Sequence, residues 1–349
     1  MSEVPENNKL RITREPFKTL ALAALVLAVS AGAFELAART EALSSRVRAP
    51  SYGTRIRFFD LQMERLQRYA EKGPIDCLFV GNSAVLQATD PEIFSDALAH
   101  RTGKRPRCFN FGLPGASARD VVPLSMILTR DFDVPLLIYP LTPRDVSKHA
   151  LALRLEINRW VERRTVAFNL DGFLTESSHA FRYWLALQRD LGTGRAEPYV
   201  DFPIRDDGFF SAHRVRPGDD VITGGTHELL KQRGRYQNRW LSPIAYLPKR
   251  GTQVVLVELP ATGLRSRSME TDPDDAAHGF ANRIAPLAEQ EGVHLIRAPQ
   301  ERLIPEDGWA DFVHMNARGA AHFSRWLAER VADANAAGDL DLAFEVRGR

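Results

Sequence analysis

Residues 75–84, IDCLFVGNSA, combine an apolar run with an abrupt exit of small residues. The run from Ile75 to Val80 predicts a strand, and a later run, Pro135 to Leu141, is continuously apolar, as expected for a strand that is covered on both faces. Gly81-Asn82-Ser83 follows directly. In an open α/β sheet, ligands bind outside the carboxyl ends of the strands. The segment therefore predicts a buried strand that presents the Ser83 hydroxyl at the edge of a sheet.

The same order of strand, loop and helix recurs before and after an interruption in the middle of the chain. This alternation is typical of a parallel sheet with helices on both faces. We therefore predict an α/β fold, a three-layer sandwich around a central parallel sheet, flavodoxin-like in arrangement. The further predicted strands are 107–111, 135–141, 253–259 and 293–298, and the predicted helices are 91–102, 118–130, 274–291 and 317–335.

The interruption spans about 150–250, where turns rich in Gly, Pro and Asp follow an initial helical segment. We interpret it as an insertion into a domain that covers 74–336. It is either a cap that shapes a substrate groove or a structural excursion that closes one side of the sheet, and the sequence favours neither. A linker and an amphipathic helix occupy 39–73, and 337–349 form a C-terminal tail.

The N-terminus carries a targeting pattern, in which basic residues precede an uncharged apolar run, TLALAALVLAVSAGAF. We predict a cytoplasmic tail at 1–16 and a transmembrane anchor or signal segment at 17–38. An uncleaved anchor is the favoured interpretation; the alternatives are cleavage after Ala31-Gly32-Ala33 and a buried helix of a soluble domain. The expected location is the inner membrane, with a single pass and the catalytic domain in the periplasm.

Composition excludes several classes of function. With 46 Lys and Arg against 44 Asp and Glu, the net charge of +2 offers no surplus for nucleic acid, so no nucleic-acid partner is expected. Cys77 and Cys108 are too few for a disulfide scaffold and wrongly spaced for zinc. They could be bridged if their strands are neighbours in an oxidising compartment, but two separate buried thiols are the favoured interpretation. The histidines show no metal-ligand spacing, and we predict neither metal nor cofactor.

A candidate base stands near the end of the chain, in the loop before the last predicted helix. There Asp311 precedes His314 by three residues. In a tight loop this spacing lets the carboxylate hold one imidazole nitrogen while the other faces the site, as a base for serine requires. We predict that Ser83, Asp311 and His314 form a catalytic triad. The G-x-S-x-G elbow of α/β-hydrolases is missing.

Taken in order, these segments resemble three of the four sequence blocks of the SGNH (GDSL-like) hydrolase superfamily. The matching positions are Gly81-Asn82-Ser83, then Asn110 and Gly115, then Asp311-x-x-His314. The resemblance implies that Ser83 is the nucleophile, His314 the base and Asp311 its orienting carboxylate. It also implies an oxyanion hole built from the amides of Ser83 and Gly115.

Two positions depart from the superfamily pattern. Asn82 stands where G-D-S is more common, and the asparagine expected after the third strand is absent from LTPRD at 141–145. Arg144 is nearest to that place; it either supplies the missing oxyanion donor or pairs with Asp145. Asn110 and Arg119 are predicted to contact substrate, although a solvated helix start explains Arg119 equally well.

The anchored layout resembles the extracytoplasmic proteins that O-acetylate polysaccharides. This resemblance implies serine-dependent transfer of an acyl group to a cell-surface or secreted polysaccharide through acyl-Ser83. The expected partners are a polysaccharide or acylated glycan and a multi-pass membrane acyltransferase that supplies the acyl group. One alternative is a carbohydrate O-acetylesterase with the same triad. Another is a catalytically silent glycan-binding or assembly protein.

Overall fold

The computed structural model describes residues 15–40, 51–54, 56–142, 145, 160, 170–192, 204–211, 238–260, 284–299, 303–311 and 313–342. Within these ranges, strands β1 to β5 form one sheet in the order β2-β1-β3-β4-β5, and all neighbours are parallel. This is the flavodoxin-like order, whose switch point lies between β1 and β3. The predicted α/β fold is confirmed. The strands are β1 Cys77–Gly81, β2 Cys108–Gly112, β3 Leu136–Leu141, β4 Gln253–Glu258 and β5 Val293–Ile296.

Helices cover both faces of the sheet, because alternate residues of each strand point to opposite sides. On one face, Leu137 and Tyr139 of β3 join an apolar cluster with Phe59 and Leu128. On the other, Ile138 of β3 belongs to a separate cluster. The first face carries α2 (Arg57–Glu71) and α5 (Ala118–Asp131), and the second carries α3 (Ser83–Ala88), α4 (Pro91–Thr102) and α8 (Ala317–Ala337).

Three helices lie outside this sandwich. Helix α1 (Glu15–Ala38) contains one segment, Phe17–Ala38, that is long and apolar enough to cross a membrane. Helices α6 (Leu170–Ser177) and α7 (His179–Gly192) belong to the predicted insertion. The helix predicted at 274–291 falls largely outside the described residues, and its described end forms a three-ten helix at Ala285–Leu287.

The edge of the sheet at β2 is covered by residues 204–211, which fall within the predicted insertion. Ile204 and Phe210 pair as an antiparallel bridge, and the amide of Asn110 in β2 donates to the carbonyl of Asp207 at 2.8 Å. An uncovered edge strand would present unpaired backbone groups to other chains. Residues 204–211 therefore close this side of the sheet.

The two cysteines correct the interpretation as separate thiols. β1 and β2 are adjacent, and their register places Cys77 opposite Cys108 with Cα atoms 4.5 Å apart. The two sulfur atoms are bonded in a disulfide. The sequence pattern could not supply this, because it does not tell which predicted strands are neighbours.

Candidate active site

The turn that carries Ser83 is fixed by its two preceding residues. Gly81 has a φ of 154°, and a Cβ atom there would lie 2.3 Å from a methyl group of Val85. A side chain at this position is therefore excluded by the first turn of α3. Asn82 caps that helix, since its Oδ1 accepts from the amide of Ala84 at 2.8 Å. Ser83 is thus the first residue of α3, at the carboxyl end of β1.

Asn110 corrects the expectation of a substrate contact. Its side chain is fully buried. Its Nδ2 lies 2.7 Å from the carbonyl oxygen of Thr89 and 3.1 Å from that of Val85, while its Oδ1 accepts from the amide of Gly112. The Val85 carbonyl also accepts from the amide of Thr89, which is the residue after the end of α3. Asn110 therefore holds the helix that begins at Ser83 against β2 and is a positioning residue.

Asn82 also joins β1 to β3 across the switch point. Its Nδ2 donates to Thr142 Oγ1 at 3.0 Å and to Asp145 Oδ2 at 3.2 Å. The Asp145 carboxylate further accepts from the amide of Thr142 and from the hydroxyl of Tyr139. An aspartate at position 82 would face this carboxylate with oxygen against oxygen. The departure from G-D-S therefore has a physical reason in this chain.

The loop before α8 holds His314 in place. Trp309 and Met315 pair as an antiparallel bridge, and the amide of Ala310 donates to the carbonyl of His314 at 2.8 Å. Asn316 then caps α8 by accepting from the amide of Arg318 at 3.0 Å. Both bridge residues are buried. The loop is therefore fixed at each end, and His314 projects from it.

Ser83, His314 and Asp311 form one chain of hydrogen bonds. Ser83 Oγ lies 2.9 Å from His314 Nε2, and His314 Nδ1 lies 2.7 Å from Asp311 Oδ2. A carboxylate at Nδ1 selects the tautomer with hydrogen on that nitrogen, which leaves Nε2 free to accept the serine proton. The side chains of His314 and Asp311 are 25% and 39% exposed. The structure thus brings the three predicted residues together in a setting that a substrate can reach.

Asp311 is held as a carboxylate by its surroundings. Burial on its own would raise the pKa of Asp311, but hydrogen bonds from the His314 ring and from two backbone amides bring that pKa below its ordinary value. The amides of Val313 and His314 donate to Oδ1 at 2.7 and 2.8 Å. This arrangement is able to orient the imidazole and places a negative charge beside it, which is what a triad requires of its carboxylate.

The structure locates some of the predicted oxyanion and substrate residues. Gly115 follows β2 in a turn closed by a bond from the amide of Ala116 to the carbonyl of Leu113, and its φ of 78° is the left-handed conformation that favours glycine. Arg119 lies with its guanidinium carbon 4.4 Å from the centre of the Trp240 ring. Arg144 lies outside the described residues.

A buried carboxyl group at the same edge of the sheet was missed by the sequence analysis. Glu258 ends β4 and is 6% exposed. Burial raises the pKa of Glu258 to about 7, an effect that the charge of Arg297 partly opposes. The signal in the sequence was a glutamate that ends an otherwise apolar strand, VVLVE at 254–258.

Three carboxylates near the start of α4 were also not singled out from the sequence. Asp90, Glu92 and Asp207 lie close enough together to share a cation. The guanidinium of Arg205 already lies among them, 2.6 Å from Asp90 Oδ1 and 3.4 Å from Glu92 Oε2. Arg205 balances one of the three negative charges, and its ion pairs join residues 204–211 to the start of α4.

Comparisons with known proteins give no family match. No protein-family model matches the chain, and no curated protein matches it either. Among solved structures, the chain is similar to a proposed acylhydrolase from Bacteroides fragilis (TM-score 0.35, 11% identity, 78% of this chain and 96% of that one). It is also similar to a carbohydrate acetylesterase family member from Sinorhizobium meliloti (TM-score 0.33, 12% identity, 74% of this chain and 97% of that one). A third similar structure is a proposed platelet activating factor from Streptococcus pneumoniae (TM-score 0.33, 11% identity, 77% of this chain and 92% of that one). At these TM-scores and identities the likeness carries no argument about function.

Proposed function

We propose that this chain is a membrane-anchored serine enzyme that transfers acyl groups outside the cytoplasm. The observation that carries the proposal is the continuous hydrogen-bonded chain from Ser83 through His314 to Asp311. A serine hydroxyl is a weak nucleophile unless an adjacent base takes its proton. The contact between His314 Nε2 and Ser83 Oγ supports His314 as that base, and the contact of Nδ1 with the Asp311 carboxylate supports the tautomer that a base requires.

In the first half of the reaction, Ser83 Oγ attacks the carbonyl carbon of an acyl donor while His314 Nε2 takes the hydroxyl proton. The negative charge that develops on the carbonyl oxygen is stabilised by the amides of Ser83 and Gly115, which are the proposed oxyanion donors. The tetrahedral intermediate then expels the oxygen of the donor. That oxygen takes the proton from His314, and the acyl group remains on Ser83.

In the second half, a hydroxyl group of the acceptor gives its proton to His314 and attacks acyl-Ser83. The ester bond to the serine breaks, Ser83 regains its proton from His314, and the acceptor leaves with the acyl group. We propose that the acceptor is a cell-surface or secreted polysaccharide and that the transferred group is acetyl. A multi-pass membrane acyltransferase is the proposed supplier of the acyl group.

Two features support a site outside the cytoplasm. Disulfides persist in oxidising compartments such as the periplasm and are rare in the cytosol, and Cys77 and Cys108 are bonded to each other. The apolar helix α1 precedes the catalytic domain and supplies a segment able to hold it at a membrane. We propose a single pass through the inner membrane with the domain in the periplasm.

Hydrolysis is the second candidate function, and partial exposure of the site favours it. The side chains of His314 and Asp311 are open to solvent at 25% and 39% of their area. Water that reaches acyl-Ser83 uses the same base as a sugar hydroxyl does. The same triad then acts as a carbohydrate O-acetylesterase.

The test uses the full-length chain in detergent, with 4-nitrophenyl acetate as donor and oligosaccharides of glucose or of uronic acid as acceptors. We expect an acetyl adduct on the peptide that contains Ser83, detected by mass spectrometry after a rapid quench. Ser83→Ala removes the nucleophile and should abolish the adduct together with nitrophenol release. His314→Gln should slow nitrophenol release by about 10³-fold or more.

The matched control is His322→Gln, which changes an exposed histidine of α8. Its activity should equal that of the wild type. Acetylated oligosaccharide as product favours transfer, and free acetate alone favours hydrolysis. Unchanged nitrophenol release in Ser83→Ala would refute the catalytic role and leave the silent, glycan-binding function.

A further inference from the structure

Helices α6 and α7 carry large apolar side chains that are more than half exposed. Leu170 and Phe173 of α6 and Trp184 and Leu187 of α7 are between 51% and 60% exposed. Each pair is spaced i, i+3, so each helix presents one apolar stripe. We call these four side chains the hairpin surface. Among the described residues, the other large apolar side chains with comparable exposure lie on α1, apart from Tyr246.

The opposite face of α7 packs on the domain, so the outward direction of the stripe is fixed. Arg182 is 1% exposed, and its guanidinium donates to Gln67 at 3.2 Å. Tyr183 and Ala186 are also buried. Rotating α7 to hide Trp184 and Leu187 would bring Arg182 out of this contact. The exposure of the hairpin surface is therefore a consequence of how the helix is anchored.

The end of α1 is tied to the start of α7 through one carboxylate. Glu35 accepts from the amides of His179 and Ala180, both at 3.0 Å, and from Ser178 Oγ at 2.8 Å. The first amides of a helix have no partner within it, and a negative charge there is favourable. Glu35 lies in the last turn of the segment that is able to cross a membrane, Phe17–Ala38. The start of α7 is consequently held at the level where that segment ends.

From these positions we infer that the hairpin surface lies in the interface of the same bilayer that α1 spans. Trp184 is five residues beyond His179, which is about 7.5 Å along a helix. Interfacial helices bury their apolar faces about 5–10 Å into the boundary between headgroups and acyl chains. Tryptophan is enriched at that depth, because its ring is apolar and its N–H is polar. The occupant of the hairpin surface is therefore lipid, and α1 with α6 and α7 fixes the catalytic domain against the membrane.

This inference rests on one part of the proposed function, namely that α1 spans the bilayer. It does not depend on catalysis. The experiment places the full-length chain in nanodiscs, one copy per disc, with phosphatidylcholine that is or is not brominated on its acyl chains. Bromine quenches tryptophan at short range. Trp184 is one of five tryptophans, so the brominated discs should lose roughly a fifth of the emission. Trp184→Phe should abolish the loss, whereas Trp326→Phe, the matched control on α8, should retain it.

Each result has a defined meaning. Equal emission in brominated and ordinary discs overturns the inference, since a surface reserved for a protein partner or a second copy would not contact acyl chains here. Quenching that persists in Trp184→Phe overturns it as well. A chain that fails to enter discs at all contradicts the anchor in the proposed function instead. Because Trp184 is exposed, its replacement by Phe is not expected to change the thermal unfolding temperature, and this measurement checks the variant.

Discussion

Replacing Asn82 by Asp tests the bond that joins β1 to β3 next to Ser83. The change produces Gly-Asp-Ser, which is the more common form in the SGNH superfamily. In this chain, however, Nδ2 of Asn82 lies 3.2 Å from Oδ2 of Asp145, whose side chain is buried. Aspartate would set an acceptor where a donor is required. We therefore expect the variant to be less stable than the wild type, although its sequence is closer to the superfamily pattern.

The expected loss follows from the distance between the two groups. Two unit charges 3.2 Å apart repel by about 5 kcal/mol at an effective dielectric constant of about 20. The pair avoids this repulsion when one of its two carboxyl groups stays protonated. Keeping that proton costs about 1.4 kcal/mol for each pH unit above the ordinary aspartate pKa of about 4. The unfolding free energy should thus fall by about 4 kcal/mol at pH 7 and by about 1.5 kcal/mol at pH 5. The folded variant holds the extra proton, so its relative stability decreases as the pH rises.

The assay is urea unfolding of the full-length chain in detergent at pH 5 and at pH 8, followed by tryptophan fluorescence. Asn82→Ala is the control, because it removes the helix cap and the donor to Asp145 without adding a charge. It should cost about 1 kcal/mol for the cap and about 1.5–3 kcal/mol for the bond to a charged group, and at pH 8 it should lose less than Asn82→Asp. A loss in Asn82→Asp that is equal at the two pH values would refute the carboxylate pairing. So would a variant as stable as the wild type at pH 8.

Three further predictions concern the triad, the disulfide and the buried carboxyl group. Asp311→Asn should lower kcat for 4-nitrophenyl acetate by about 10⁴-fold, because an amide N–H opposite Nδ1 of His314 selects the wrong tautomer; a loss below tenfold contradicts this. Cys77→Ala/Cys108→Ala opens a loop with a sequence separation of 31 and should lower the unfolding free energy in urea by about 3–4 kcal/mol. An unchanged value would mean that the thiols are not bridged. Glu258→Gln removes a group whose pKa is raised from 4.5 to about 7, so the wild type loses stability between about pH 4.5 and pH 7. The variant should gain about 3 kcal/mol at pH 8 and less than about 1 kcal/mol at pH 5, and equal gains at the two pH values would contradict the assignment.

The fold was predictable because the residue types of a strand depend on which of its faces are buried. β1 and β3 are buried along their whole length. A strand covered on both faces must be apolar at every position, so CLFV at 77–80 and LLIYPL at 136–141 stand out from the flanking residues. Ser83 directly follows one such strand, and His314 lies in the connection from β5 to α8, so both are expected at the edge where the carboxyl ends of parallel strands meet. Their meeting could be expected, although 231 residues separate them.

The polar partners around the site could not be predicted in the same way. Asn110 was predicted to contact substrate because its position matches a block of the superfamily that the sequence resembles, but it lies inside β2. Whether it faces solvent or the end of α3 depends on how closely α3 approaches β2. Asn82 gave a similar ambiguity: its partner Asp145 lies 63 residues away, and hydrogen bonds of that span leave no periodic trace in a sequence. Such contacts are set by packing and not by local pattern.

The same reasoning applies to helices that face lipid. The i, i+3 spacing of Trp184 and Leu187 is what a core helix shows, because hydrocarbon and a protein interior both favour apolar side chains. The distinguishing observation is three-dimensional: the buried face of α7 carries Arg182, while the apolar stripe faces outward. Glu35 is a charged residue near the end of an apolar segment. Its position there is explained because its carboxylate accepts hydrogen bonds from the first amides of α7. The bilayer then acts as one more packing partner of the fold, and the sequence of α6 and α7 is consistent once that partner is included.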